Sequence, residues 1–167
     1  MSPTFMTLYC RVNVFALFCF FHFQSSGQDS VLLSNNKKLI IKYIDVVVNN
    51  HDLNRKGEFF KTDYIWHTMD GKDIHSSQDS GHTAILRWLF NAIPDVHYAI
   101  DNIEAGREMV GVSTTATGTA RSEMFGLPVA QKKVWYKQMF FYRLKDGKIT
   151  DQWEVVDADK IKAQLEQ

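Results

Sequence analysis

The spacing of apolar residues changes once along this chain, at Pro94. Upstream they recur every three to four positions, and downstream they alternate with polar ones. In the first regime Leu33, Ile40, Ile44 and Val47, with Ile41 and Val48 beside them, predict an amphipathic helix over residues 34–49, with Lys37, Lys38 and Lys42 on its polar side. Asp52 is a suitable N-cap for a short second helix from Leu53 to Phe59 or Phe60, weakened by Gly57. Asp63–His67 reads as a short strand, and the polar run through Ser80 as a loop. A third helix starts near Thr83 with Ile85, Leu86, Leu89 and Phe90 as its apolar stripe, and Pro94 closes it. The second regime predicts strands over Val96–Ala105, Glu108–Ser122, Lys132–Leu144 and Lys148–Val156. A helix over Asp157–Leu165 follows, with Asp157 as its N-cap.

The last two strands flank Lys145-Asp146-Gly147-Lys148, whose Asp-Gly pair supplies the positive φ values of a two-residue hairpin turn. Alternation then gives each strand two defined faces. Val134, Tyr136, Gln138, Phe140 and Tyr142 share one face, while Trp135, Lys137, Met139, Phe141 and Arg143 share the other. Gln152, Glu154 and Val156 lie opposite Asp151, Trp153 and Val155, and Asp151 is expected to be exposed. Helices followed by long meandering strands specify an α+β fold: a curved antiparallel sheet, packed with the N-terminal helices, forming a cone with an apolar pocket. If Gln138 and Glu154 share its concave side, an amide and a carboxylate enter an otherwise aromatic cavity.

With 167 residues and a 45% hydrophobic fraction, the chain is long enough for one domain with a substantial core. Basic and acidic residues number 19 each, so no excess charge favours nucleic acid or anionic lipid. Residues 1–27 form a separate segment. Arg11, an apolar run from Val12 to Phe23 and the small residues Ser25 and Gly27 read as a signal peptide cut before Gln28, the alternative being a signal anchor. The expected product is a secreted or periplasmic domain over residues 28–167, without stable membrane insertion. Both cysteines, Cys10 and Cys19, lie in the leader, so that domain has no thiol chemistry.

Candidate chemistry centres on Glu154, whose pKa would rise by desolvation in an apolar cavity. The alternative is that Glu154 faces solvent or pairs with Lys137 or Arg143. The Gln138 amide could donate to an enolate oxygen, or could be a buried structural amide. Trp66 and His67 sit on the early strand, where His67 could assist proton transfer or simply pack beside Trp66. His51, His75, His82 and His97 lack metal-ligand spacing. Tyr43, Trp88, Met124, Tyr136 and Phe140 divide between core and pocket wall in a way the pattern leaves open. The Met124–Pro128 loop is either a lid or a hydrophobic turn. The apolar face of Trp135, Met139, Phe141 and Trp153 needs a cover, and a homodimer supplies one.

Ile93-Pro94-Asp95-Val96, Thr117-Gly118-Thr119, Met124–Pro128, Leu144–Ile149 and Gln152–Asp157 occur in an order that resembles the SnoaL-like polyketide cyclase (ester cyclase) family. That family belongs to the superfamily sharing the nuclear transport factor 2 and ketosteroid isomerase fold. The resemblance covers about residues 34–165 and implies ring closure by intramolecular aldol chemistry on a hydrophobic carbonyl compound, without cofactor or metal. It assigns Glu154 the acid/base position, where the family usually carries aspartate, and Gln138 a role in substrate or enolate binding. Trp66 and His67 fall where the family's early strand faces the pocket mouth. Phe140 stands where the cyclases carry a histidine. Two other readings stand beside the catalytic one: a non-catalytic small-molecule-binding domain, favoured by those departures and the signal peptide, or an interaction module working through the apolar outer sheet face.

Overall fold

The computed structural model describes residues 27–167, apart from 78 and 130. Residues 1–26 of the expected leader, both cysteines among them, therefore lie outside the described residues. The first helix (α1) spans 27–43, starting earlier than the apolar pattern alone predicts, and continues as a π-helical turn over Ile44–Asn49. The widening coincides with the Ile44-Asp45-Val46-Val47-Val48 run, whose β-branched side chains crowd an α-helical turn. It ends on a bond from the Asn50 N–H to the Asp45 carbonyl, 3.0 Å long. Asp52 opens the predicted second helix, a 3₁₀ segment over Leu53–Glu58, without using its side chain as a cap.

Strands β1 (Phe60–His67) and β2 (Asp73–Ser76) follow, and then helix α2 (His82–Ala92). The meander comprises β3 (His97–Ala105), β4 (Met109–Ala120), β5 (Lys132–Lys145) and β6 (Lys148–Val156), and α3 (Ala158–Leu165) closes the chain. The Asp157 side chain accepts from the Lys160 N–H and caps α3, as its position predicts. The β5–β6 hairpin turns through Asp146 and Gly147, at φ 53° and 68°.

The six strands form one sheet in the order β2-β1-β6-β5-β4-β3. The polar loop expected before Ser80 contains strand β2, too short and too polar to show an alternating signal. The sheet is also not wholly antiparallel. β1 runs parallel to β6, pairing Trp66 with Gln152 and His67 with Trp153. The inner face buries Val134, Tyr136, Gln138, Phe140, Tyr142 and Leu144 of β5 against Ile40, Tyr43, Ile44 and Val47. β5 extends past the end of β6, and there α3 covers its edge: the Gln164 amide accepts from the Trp135 N–H at 3.0 Å and donates to the Trp135 carbonyl at 2.8 Å.

The Ile-Pro-Asp-Val and Thr-Gly-Thr motifs are one device. The Asp95 carboxylate accepts from the Thr119 N–H (2.6 Å) and hydroxyl (2.7 Å), tying the turn before β3 to the end of β4. The elements meet so closely that a Cβ on Gly118 would lie 2.3 Å from Ile93 Cγ2 and 3.1 Å from Val96 Cα. Ile93 is fully buried and the second contact is backbone, so neither can retreat cheaply. Gly118→Ala is expected to destabilise the fold by about 1–3 kcal/mol, the usual cost of overpacking. An unchanged urea midpoint would show that the corner yields.

Candidate functional site

The register of β5 and β6 builds the site. Phe140 pairs with Glu154, Tyr142 with Gln152 and Gln138 with Val156, so all six point to the concave side. Between that face, the end of α1, helix α2 and Ile161 of α3 lies a cavity of about 150 Å³. Tyr43, Leu86, Met124, Phe140 and Tyr142 form its apolar wall, and His82, Tyr98, Tyr136, Gln138 and Glu154 its polar side. Ile85, Trp88, Phe125 and Val156, each about two-fifths exposed, ring the mouth. Phe125 is presented there by a two-residue turn with φ 55° at Phe125 and 77° at Gly126, closed by reciprocal Met124–Leu127 backbone bonds.

Glu154 is the hub. Its Oε2 receives His82 Nε2 at 3.2 Å, Gln138 Nε2 at 3.3 Å and Gln152 Nε2 at 3.3 Å. Among the described residues no donor reaches Oε1, which leaves that oxygen for whatever occupies the cavity. Behind Gln138 the bonds continue in one direction. Tyr98 donates to Gln138 Oε1 at 3.0 Å, so Tyr136, 2.9 Å from the Tyr98 hydroxyl, donates to Tyr98. Gln138 thus accepts at its carbonyl, places one N–H on Glu154 and has no acceptor for the other N–H among the described residues.

His82 opens α2, and its backbone N–H is capped by the Ser76 hydroxyl of β2 at 3.2 Å. A Cβ on Gly81 would fall 2.0 Å from that hydroxyl, and Gly81 sits at φ 58° and ψ −127°, so the approach to His82 requires glycine. The ring Nε2 also lies 2.9 Å from Gln152 Nε2. One nitrogen cannot both donate to Glu154 and accept from Gln152, and an anionic neighbour favours the N–H on Nε2. That tautomer leaves Nδ1 a buried acceptor without a donor.

Burial drives the Glu154 pKa up, as expected for a carboxyl in an apolar cavity. Attraction to His82, the hydrogen bonds from His82 and Gln152, and the Lys56 charge together outweigh it, and the net shift is down. The expected rise is therefore reversed, because His82, Gln152 and Lys56 together favour the charged carboxylate more than burial disfavours it. Burial lowers the His82 pKa despite Glu154, keeping the ring neutral near pH 7. Burial raises Tyr43, Tyr98 and Tyr142 well above their ordinary value and Tyr136 to about 12, so all remain O–H groups.

Of the residues singled out by pattern and resemblance, Glu154, Gln138, Tyr43, Met124, Tyr136, Phe140 and Trp88 line this cavity. Trp66 and His67 do not. Trp66 stands behind His82, ring centroids 5.5 Å apart, and braces it. His67 points to the outer face, where its ring stacks on Trp153 and its nitrogens lie 2.6 Å from Asp73 and 2.9 Å from Asp151. Neighbouring strand residues face opposite ways, so both could not enter one pocket. Asp151 is buried rather than exposed, because His67 and Arg143 cover it. His82 and Tyr98 escaped the sequence reading. His82 had a signal, since it lies on the i, i+4, i+7 stripe with Leu86 and Leu89.

A family model, the SnoaL-like polyketide cyclase, matches residues 38–165. No curated protein gives a significant match. Among solved structures, AclR of Streptomyces galilaeus, a candidate hydroxylase, superposes with a TM-score of 0.72 at 22% identity, over 80% of this chain and 97% of its own. IdmH of Streptomyces antibioticus, a candidate polyketide cyclase, gives 0.68 at 20% identity, over 78% and 98%. A SnoaL-like polyketide cyclase candidate from Jannaschia gives 0.72 at 15% identity, over 80% and 93%. At such identities these structures speak for the fold alone, a curved sheet packed with helices. With the family model spanning most of the residues described, the chain belongs to the SnoaL-like polyketide cyclase family.

Proposed function

We propose that this protein is a cofactor-free enzyme in which Glu154 moves a proton on a hydrophobic carbonyl compound. The observation that carries this reading is the division of labour on one carboxylate, with Oε2 anchored by three N–H groups and Oε1 free in an apolar cavity. Oε1 takes a proton from carbon, the electron pair moves into the adjacent carbonyl, and the second N–H of Gln138 stabilises the enolate oxygen. In an aldol closure the enolate carbon then attacks a second carbonyl, and the Glu154 carboxylic acid returns its proton to the new alkoxide. A base with a depressed pKa is weak, so efficient transfer needs an acidic carbon. The matching substrate has its C–H flanked by two carbonyls. A space of about 150 Å³ fits about one six-membered ring, and the apolar mouth accommodates the rest of a longer molecule.

The test is hydrogen–deuterium exchange at the central carbon of a β-keto ester in D₂O, as protein-dependent excess over the buffer rate. The reading requires an excess that saturates with substrate and depends on Glu154. Saturable ligand binding without exchange would make this a binding domain instead.

A homodimer through the outer face fits the same molecule. Trp135, Met139, Phe141 and Val155 are each close to half exposed there, and Met139 and Val155 are direct cross-strand neighbours. Light scattering after size exclusion is expected to give a dimer, and Met139→Glu a monomer. A monomeric wild-type protein would leave that face without its proposed cover.

A further inference from the structure

A second cavity, of about 110 Å³, lies beside the 3₁₀ turn and β1, separate from the acid/base site. Its polar lining is Lys56, Lys61, Thr62, Tyr64 and Ser77: two cations, three hydroxyl groups and no carboxylate. Lys56 is 1% exposed, and among the described residues no carboxylate lies within ion-pairing distance of it. Its ammonium contacts the Tyr64 hydroxyl and the Thr83 hydroxyl, the latter at 2.8 Å, and sits 4.8 Å from the centre of the Phe60 ring. Two acceptors leave one N–H of an ammonium unused. Thr83 spends its own hydrogen on the Ser77 carbonyl at 2.9 Å, and the Tyr64 hydroxyl, besides receiving Lys56, has Thr83 at 3.4 Å and the Ser76 hydroxyl beside it.

A buried ammonium with no carboxylate in direct contact is costly, since Glu154 acts on Lys56 only from a distance, and a cavity offering hydroxyl groups and a second lysine is complementary to an anion. We propose that this cavity binds a small oxyanion (carboxylate, phosphate or sulfate) with the Lys56 ammonium as its central ligand. Tyr64 and Ser77 supply hydroxyl donors, and Lys61, held 3.4 Å from Asp146, adds charge at the rim.

Occupancy is coupled to protonation. Without an anion, burial lowers the Lys56 pKa to about 7, helped by Arg87 and opposed by Glu154. The groups around it are Tyr64 and Lys61 on β1, His82 and Arg87 on α2, and Glu154 on β6. Tyr64 is shifted up and stays protonated, while His82 is shifted down and stays neutral. Over pH 6–9 Lys56 is therefore the group that gains or loses charge. Binding requires the ammonium, so affinity is at its plateau below pH 7 and falls as the pH rises.

Sulfate is the probe, because its charge is constant over this range. Calorimetric titration of the full domain with sodium sulfate at constant ionic strength is expected to weaken about tenfold from pH 6 to 8 and about a hundredfold by pH 9. Lys56→Met should abolish binding, and Ser77→Ala should weaken it several-fold while keeping the pH dependence. Amide resonances of Gly57 and Ser77 should move on titration. Equal affinity at pH 6 and 8, an absence of binding at pH 6, or sulfate shifts confined to other surfaces would each overturn the proposal. Should Lys56→Met not fold, the wild-type pH series decides by itself.

Discussion

Glutamine in place of Glu154 is expected to cut the protein-dependent exchange of an acidic C–H by about 10²–10⁴-fold, the range that a positioned general base contributes. Substrate affinity should hardly change. Gln is nearly isosteric with Glu and retains an acceptor for the His82 and Gln138 N–H groups, so the cavity keeps its shape, and the loss should appear in kcat rather than KM. The pH profile carries the sign. The base works when ionised, and its pKa is depressed, so the wild-type rate should persist to a lower pH than an unperturbed glutamate would allow. Full exchange by Glu154→Gln, with an unaltered profile, would remove Glu154 from the chemistry.

Stability is expected to rise as pH increases from 7 towards 10, the reverse of the common trend. The cause is Lys56, with a pKa near 7 in the fold against 10.5 for a free side chain. Between these values the unfolded chain binds a proton that the folded chain does not. Protonation therefore favours unfolding, and each step up in pH removes part of that advantage. The slope approaches about 1.4 kcal/mol per pH unit, and the full interval corresponds to at most about 5 kcal/mol. Above pH 10 the sign turns, because the buried tyrosines have raised pKa values and the unfolded chain loses their protons first. Urea unfolding at pH 7, 8 and 9 should show the rise, and Lys56→Met should flatten it. A wild-type curve that is level or falling over this interval would mean that Lys56 keeps its charge in the fold.

Sequence reading succeeded where a rigid period controls direction. Alternation leaves no freedom within a strand, so Gln138 and Phe140 could be assigned to one face of β5, and Gln152, Glu154 and Val156 to one face of β6. That the two faces coincide is set by the register of the hairpin, which pairs Phe140 with Glu154. Asp157 was legible for a similar reason, since an N-cap is a local device, whereas the bonds from Thr119 to Asp95 join residues 24 positions apart and no local pattern announces them. His82 was less visible because its partner Glu154 lies 72 positions away, and only the helical stripe hinted that it pointed inward. Lys56 was invisible. It sits in a short 3₁₀ turn without an amphipathic period, between Arg55 and Gly57, where a lysine reads as solvated. His67 was misplaced for a different reason. Its strand pairs parallel to β6, a long-range choice that fixes Trp66 inward and His67 outward and that no local pattern announces. The direction of the Glu154 shift was also beyond the pattern, because it depends on His82, Gln152 and Lys56, which come from three different elements.

The Gln164 amide on the Trp135 backbone gives α3 a second meaning. A sheet normally ends its hydrogen-bonding ladder in a strand whose far side is again open, so each added strand passes the unpaired row outward. Here the row is passed to a side chain, whose single amide matches one N–H and one carbonyl and offers no further rung. The last helix is a chain terminator for β-pairing: it completes the sheet without extending it, and leaves apolar packing as the route by which a partner could join this part of the molecule.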